Sequence, residues 1–221
     1  MIVTIDGPAG AGKSSIARTA AQRLGFEFLD TGALYRAMTL AAIRAQVDFD
    51  NTQEIVKFSE SVEIQWDGDR VLLDGEDVSE QIRTPPVTDA IRFLADLPEI
   101  RIRLSEIQRG IAIGRNMVTE GRDQGTEVFS DAACKIFLTA SPEERAKRRH
   151  QQLSEMGRPL PLEDILKAQN QRDEEDRLRP MGALRPAEDA TVIDSDGMTT
   201  EEVLEKVLGV VREAQKSDSG N

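Results

Sequence analysis

Ile2-Val3-Thr4-Ile5, followed by Gly7-Pro8-Ala9-Gly10-Ala11-Gly12-Lys13-Ser14, is the stretch from which the rest of the chain is read. The first four residues are apolar or β-branched, as a short strand requires. The next eight fit G-x-x-x-x-G-K-[ST] without a gap. Ile16, Ala17, Ala20, Ala21 and Leu24 then recur at helical spacing. Strand, glycine-rich loop and helix start thus follow in the order a phosphate-binding loop needs. The glycines let the backbone curl so that several N–H groups point inward. The helix N-terminus behind them adds roughly half a positive charge. Gly7, Pro8, Ala9, Gly10, Ala11, Gly12, Lys13, Ser14 and Ser15 are therefore candidate contacts for the phosphates of a nucleotide. Lys13 is suited to the β- and γ-phosphates, and the Ser14 hydroxyl to Mg²⁺. The plainer alternative is a glycine-rich turn before an ordinary helix. The flanking strand and helix count against it.

Outward from this loop, the chain alternates strands and helices. Glu27-Phe28-Leu29 reads as a second strand, and Gly32 opens an apolar helix through Tyr35, Met38, Ala41, Ala42 and Ala45. Residues 52–60 read as a short helix. The period then changes: Val62, Ile64 and Trp66 alternate, Asp67-Gly68-Asp69 turns, and Val71, Leu72 and Leu73 follow. That is a β-hairpin pattern, and it marks residues 37 to about 97 as an inserted subdomain, punctuated by Pro85-Pro86 and Pro98. Glu99 to Gly114 reads as a polar helix, and Asn116 to Glu120 and Cys134 to Leu138 as strands. Ser141-Pro142-Glu143-Glu144 is a helix start with Ser at the N-cap and Pro at the first turn. Gly157-Arg158-Pro159 interrupts that helix, and a second polar one runs from about Leu162 to Arg177. Thr191 to Asp194 reads as a last strand, Thr200 to Ala214 as a closing helix, and Ser217 onward as a frayed tail. Five short strands separated by helices imply an α/β fold with a parallel sheet.

Composition narrows the partners. The 221 residues carry a formal net charge of −12, which argues against a nucleic-acid footprint. Yet 21 of the 28 basic residues are arginine, and 13 of those lie between Arg101 and Arg185. Arginine is favoured where phosphate is held by a planar fork, so the pattern suits a binder of small phosphates. Some of these arginines can equally be solvated helix faces; Arg145, Arg148 and Arg149 beside Glu143 and Glu144 are open to that reading. One Cys, Cys134, excludes an intramolecular disulfide, and one His, His150, leaves little for a zinc site or a histidine triad. No apolar run approaches the roughly 20 residues that span a bilayer, and the N-terminus enters the first strand without a basic leader. The expectation is a cytoplasmic protein that binds neither nucleic acid nor membrane.

Four segments together resemble the bacterial cytidylate kinases over residues 2 to about 212. These are the phosphate loop, Asp30-Thr31-Gly32-Ala33-Leu34-Tyr35-Arg36, Glu120-Gly121-Arg122-Asp123, and Arg172-Asp173-x-x-Asp176-Arg177-x-Arg179. The loop is shared by many nucleotide-binding proteins, whereas the other three are far more specific. The resemblance implies one P-loop kinase domain over residues 1–221, with a five-stranded parallel sheet flanked by helices. It implies that residues 37 to about 97 form a monophosphate-binding insert with a small antiparallel sheet, and that residues 145 to about 160 form a short mobile lid. The implied activity is transfer of a phosphoryl group from ATP, with Mg²⁺, to CMP and to dCMP, by a monomer.

Carried over by position, the resemblance assigns Arg36 and Arg122 to the acceptor phosphate, with Thr31 touching it. Arg101 and Asp123 would face the cytosine, Arg172 and Asp176 the ribose, and Arg179 the phosphates. Lys13, Arg122, Arg145 and Arg149 would form the catalytic group, the last two closing over the transferred phosphoryl. The chain departs from the family pattern in three places. Thr31 stands where Ser is common, Gln124 where an apolar residue is usual, and Arg92 where a base-contacting Ser is common. Two rival readings stay open: a P-loop kinase for another small molecule, and a nucleotide-dependent switch or binding module. The chain has no guanine-reading Asn/Thr-Lys-x-Asp segment.

Overall fold

A computed structural model describes residues 1–218, and the chain falls into two compact units. The sheet unit comprises Met1–Glu27 and residues from Arg115 onward; the helical unit is Phe28–Gly114. The expectation of a frayed tail concerns residues that, from 219 on, lie outside the described ones.

The sheet unit is built on β1 (Ile2–Asp6), followed after the loop by α1 (Lys13–Leu24). Chain order continues with β2 (Glu27–Asp30), which starts in the sheet unit. After the helical unit come β6 (Met117–Gly121), β7 (Cys134–Thr139), α6 (Pro142–Glu155), α7 (Leu162–Leu178), β8 (Thr191–Asp194) and α8 (Thr200–Asp218). The sheet has five parallel strands in the order β2-β6-β1-β7-β8. β1 is central: Val3 lies opposite Val118 on one side and Cys134 on the other. Val3, Ile5, Val118, Ile136 and Leu138 are buried, as strands covered on both faces must be. The carboxyl ends of β1 and β6 deliver the phosphate loop and the Gly121-Arg122-Asp123 turn to the same edge of the sheet, where ligands of open α/β sheets collect. Just beyond β6 a π-helical turn, Gln124–Val128, replaces an ordinary loop, a feature that the sequence pattern does not signal. Ser141 caps α6 by accepting from the Glu144 N–H at 3.3 Å, and Pro142 occupies its first turn.

The helical unit contains α2 (Thr31–Arg44), α3 (Thr52–Ser59), the antiparallel sheet β3 (Ile64–Asp67), β4 (Arg70–Leu73) and β5 (Glu76–Asp77), then α4 (Pro85–Ala95) and α5 (Pro98–Ala112). Asp30 caps α2 by accepting from the Ala33 N–H at 3.1 Å. Leu34, Ala37, Met38 and Ala42 of α2 are fully buried, which explains why its sequence is apolar nearly all round. The hairpin turns at Gly68-Asp69, with Trp66 opposite Val71. Two details differ from the sequence reading. β5 is too short to leave a pattern. Pro85-Pro86 and Pro98 do not break the chain but start α4 and α5, where a missing N–H costs nothing.

Candidate active site

The phosphate loop owes its path to backbone crowding. Gly7 has φ +148°, and a Cβ there would fall 2.0 Å from the Leu138 carbonyl oxygen of β7. Only glycine lets the chain leave β1 this close to its neighbour. Lys13, buried at the first position of α1, turns back and donates to the Pro8 carbonyl at 2.8 Å. Burial, and next to it the charge of Arg122, lower its pKa to about 7, against the opposing pull of Glu120 and Asp6. Burial thus works against the charged form of Lys13, and a phosphate brought beside it would favour that form.

Two carboxylates that the sequence reading passed over face this loop. Asp6, the last residue of β1, accepts from the Gln124 N–H at 2.9 Å and the Gly125 N–H at 2.7 Å. Burial pushes its carboxyl up to about 7 although both amides pull it down. Its grip ties the end of β1 to the turn that bears Arg122 and Asp123. Gln124, one of the departures from the family pattern, is buried and accepts through its side chain from the Thr119 hydroxyl at 3.1 Å. Glu120, at the end of β6, accepts from the Ser14 hydroxyl. The only sequence signal for either acid is its place at the carboxyl end of an apolar strand.

Ser14 Oγ and Glu120 Oε1 form an adjacent pair of hard oxygen ligands. Mg²⁺ typically takes one or two protein oxygens and completes its shell with water and substrate phosphates. The residues present fit that ion. Among the described residues no group of three or more His, Cys, Asp or Glu gathers into a metal cage.

The late arginine and aspartate cluster forms one ionic network in the sheet unit. Asp176 Oδ2 pairs with Arg122 Nε at 2.9 Å, and its Oδ1 with Arg179 at 2.7 Å. Burial alone would raise the Asp176 pKa, but Arg122, Arg179 and Arg172 together hold it below the ordinary carboxylate value. Arg122 also donates to the Gly121 carbonyl at 3.2 Å. Asp123, next to Arg122 in the chain, is buried, and its charge is felt at Asp6. Arg172 is exposed, and its charge is felt at both Lys13 and Asp176.

The three arginines of α6 have different surroundings. Arg145 is buried; it donates to the carbonyls of Ala140 at 3.1 Å and Ala9 at 2.8 Å, and pairs with Asp173 of α7 at 2.7 Å. It is not part of a solvated face. Arg148 reaches Glu144 at 3.1 Å and the Ser195 carbonyl at 2.9 Å. Arg149 alone is exposed, bonded to Gln152 at 2.7 Å. Thus Lys13, Ser14, Arg122, Asp123, Arg145, Arg172, Asp176 and Arg179 all belong to the sheet unit, together with Ser15 and Arg149. Thr31, Arg36 and Arg101 belong to the helical unit. There Thr31 is buried in the first turn of α2. The buried Arg101 lies over the Tyr35 ring at 5.4 Å and donates to the Ala95 carbonyl at 2.9 Å.

Comparison with known proteins places this arrangement. A family model described as cytidylate kinase matches residues 3–213. A cytidylate kinase of Rhodopirellula baltica is 59% identical, covering 100% of this chain and 96% of that protein. One of Caldanaerobacter subterraneus is 44% identical, covering 98% of this chain and 96% of its own length. Among solved structures, an uncharacterized protein of Eubacterium ventriosum matches with a TM-score of 0.53 at 14% identity, covering 96% of this chain and 98% of that one; this likeness concerns the fold alone. Among the described residues no helix is long and apolar enough to cross a membrane.

Proposed function

The chain belongs to the cytidylate kinase family, and we infer that it phosphorylates CMP at the expense of ATP, with dCMP as a second acceptor. The observation that carries the donor half is Lys13, buried at the start of α1 and turned back onto the Pro8 carbonyl of the glycine-rich loop. Phosphoryl transfer asks little covalent work of a protein. It asks for two phosphates placed in line and for developing charge to be cancelled. We assign residues Gly7 to Ser15 to the ATP phosphates, with Lys13 on the β- and γ-groups. Ser14, with Glu120 behind it, would hold Mg²⁺, which when bound neutralises charge on the phosphates.

For the acceptor, Arg36 and Arg122 are assigned to the CMP phosphate and Thr31 to its rim. Arg172, Asp176 and Arg179 are assigned to ribose and phosphate. Arg101 and Asp123 are assigned to the base. The Asp123 carboxylate, an acceptor only when ionised, suits the 4-amino group of cytosine and opposes the carbonyl that uracil presents there. No side chain need act as a strong base, because the attacking phosphate oxygen is already ionised. Arg149, the exposed arginine of α6, is assigned to the transferred group, while Arg145 takes part through the loop it grips. We assign the activity to a monomer in the cytoplasm, a compartment that the free buried thiol of Cys134 suits.

The test is ADP formation from ATP with each nucleoside monophosphate in turn. CMP and dCMP should be turned over, and UMP more slowly. ATP hydrolysis without any acceptor would instead favour a nucleotide switch, and preference for an unrelated acceptor would favour another small-molecule kinase.

A further inference from the structure

Asp173 lies on α7 between residues assigned to the acceptor, yet it faces none of them in the contacts described. Among the described residues its one ion pair is with Arg145 of α6 at 2.7 Å, and both side chains are only 2% exposed. Neither Asp173 carboxylate oxygen accepts a hydrogen bond among the described residues. A buried carboxylate supported so thinly does little for stability by itself. Its effect is on where Arg145 points. Arg145 spends its other nitrogens on two carbonyls, Ala140 at the end of the strand before α6 and Ala9 inside the phosphate loop. The loop also leans directly on this corner. Gly10, at φ +81°, would place a Cβ 2.7 Å from Gln169 Nε2 of α7 and 3.2 Å from Arg145 Cβ.

We propose that Asp173 is a positioning residue: through Arg145 it fixes the Ala9 carbonyl and hence the shape of the phosphate loop. A loop whose amides must all point inward cannot let one of its peptide planes rotate freely. Arg145 fixes the plane that contains the Ala9 carbonyl, and Asp173 fixes Arg145. The helix pair α6–α7 and the phosphate loop are thereby joined at one buried point. This role rests on the reading of the loop as the donor site, but its first readout does not.

That readout is amide hydrogen exchange of the intact, nucleotide-free protein. In Asp173→Asn, residues 7–14 should exchange at least about tenfold faster, while β6 and β7 stay protected. KM for ATP should rise about tenfold, with KM for CMP changed less than about twofold. Arg145→Lys keeps a cation for Asp173 but loses the fork that spans two carbonyls, so it should quicken the same segment. The decisive variant combines Arg145→Met with Asp173→Leu. Replacing a buried pair by apolar groups restores stability, so the melting temperature should recover while loop exchange and the KM for ATP stay raised. Recovery of all three together would overturn the proposal, as would a uniform rise of exchange across the sheet in Asp173→Asn, or unchanged loop exchange in Arg145→Lys. Failure of the wild type to bind ATP would sink the donor assignment instead, leaving loop exchange to decide the role of Asp173.

Discussion

The arginine pairs around the candidate site in the sheet unit differ in burial from three surface pairs of the helical unit. In the sheet unit Arg122, Arg145 and Arg179 are 18%, 2% and 13% exposed, and the first and last share one carboxylate, that of Asp176. In the helical unit Arg44, Arg70 and Arg83 are 37%, 58% and 56% exposed, and pair with Glu76, Asp67 and Asp30. Exposed pairs are screened and contribute little. Buried ones lose so much hydration that removing one partner is severe. The lesson is that an ion pair's weight depends on its surroundings. The sheet unit sets Arg122 and Arg179 on the one carboxylate of Asp176, whereas Arg44, Arg70 and Arg83 each make their pairs at the surface.

That contrast is tested most severely at Lys13. Lys13→Ala removes the buried cation of the loop and should lower kcat at least about a hundredfold, near 2.7 kcal/mol of transition-state stabilisation. Steady-state assay of the folded variant checks this, and near-normal turnover rejects the loop as the donor site.

Asp176→Asn comes next. It leaves Arg122 and Arg179 without the charge they share, so KM for CMP should rise at least about tenfold while KM for ATP moves less. A selective rise in KM for ATP would assign Asp176 to the other substrate.

Base choice is the third test. Asp123→Ala should narrow the CMP/UMP ratio of kcat/KM by about tenfold, because an opposed pair of acceptors in a dry site costs a few kcal/mol. An unchanged ratio removes Asp123 from base reading.

A smaller effect concerns pH. With its folded pKa lowered to about 7, Lys13 is progressively neutral in the free protein as pH rises above that value. Phosphate binding restores its charge, so the protein should take up a proton when ATP binds near pH 8. Affinity for ATP should then fall by up to about tenfold per pH unit above the free-state value. Calorimetry in buffers of different ionisation heat measures the uptake; none at pH 8 would mean that Lys13 is already charged.

The smallest effect is expected in the helical unit. Arg44→Ala removes the surface pair with Glu76 and should leave kcat unchanged and the melting temperature within about 2 °C. A large loss of either would erase the distinction drawn between the units.

The family was read from a resemblance carried by four segments; local pattern was enough for the glycine-rich loop, the strand–helix rhythm and the hairpin around Trp66. Each of these is carried by a fixed spacing or by a period of two or of 3.6 residues. Pattern could not reach facts fixed by distant partners. Asp6 and Glu120 stand at the ends of apolar strands, and nothing nearby in sequence says that one will hold the Gln124 and Gly125 amides and the other the Ser14 hydroxyl. Arg145, Arg148 and Arg149 share one helix and one acidic neighbourhood, yet the first is buried on Ala9 and Asp173, the second bridges to Ser195 and the third faces water. The packed fold alone distinguishes them. Helical phase aims each guanidinium in a different direction, and what it meets there comes from strands and helices tens of residues away in the chain.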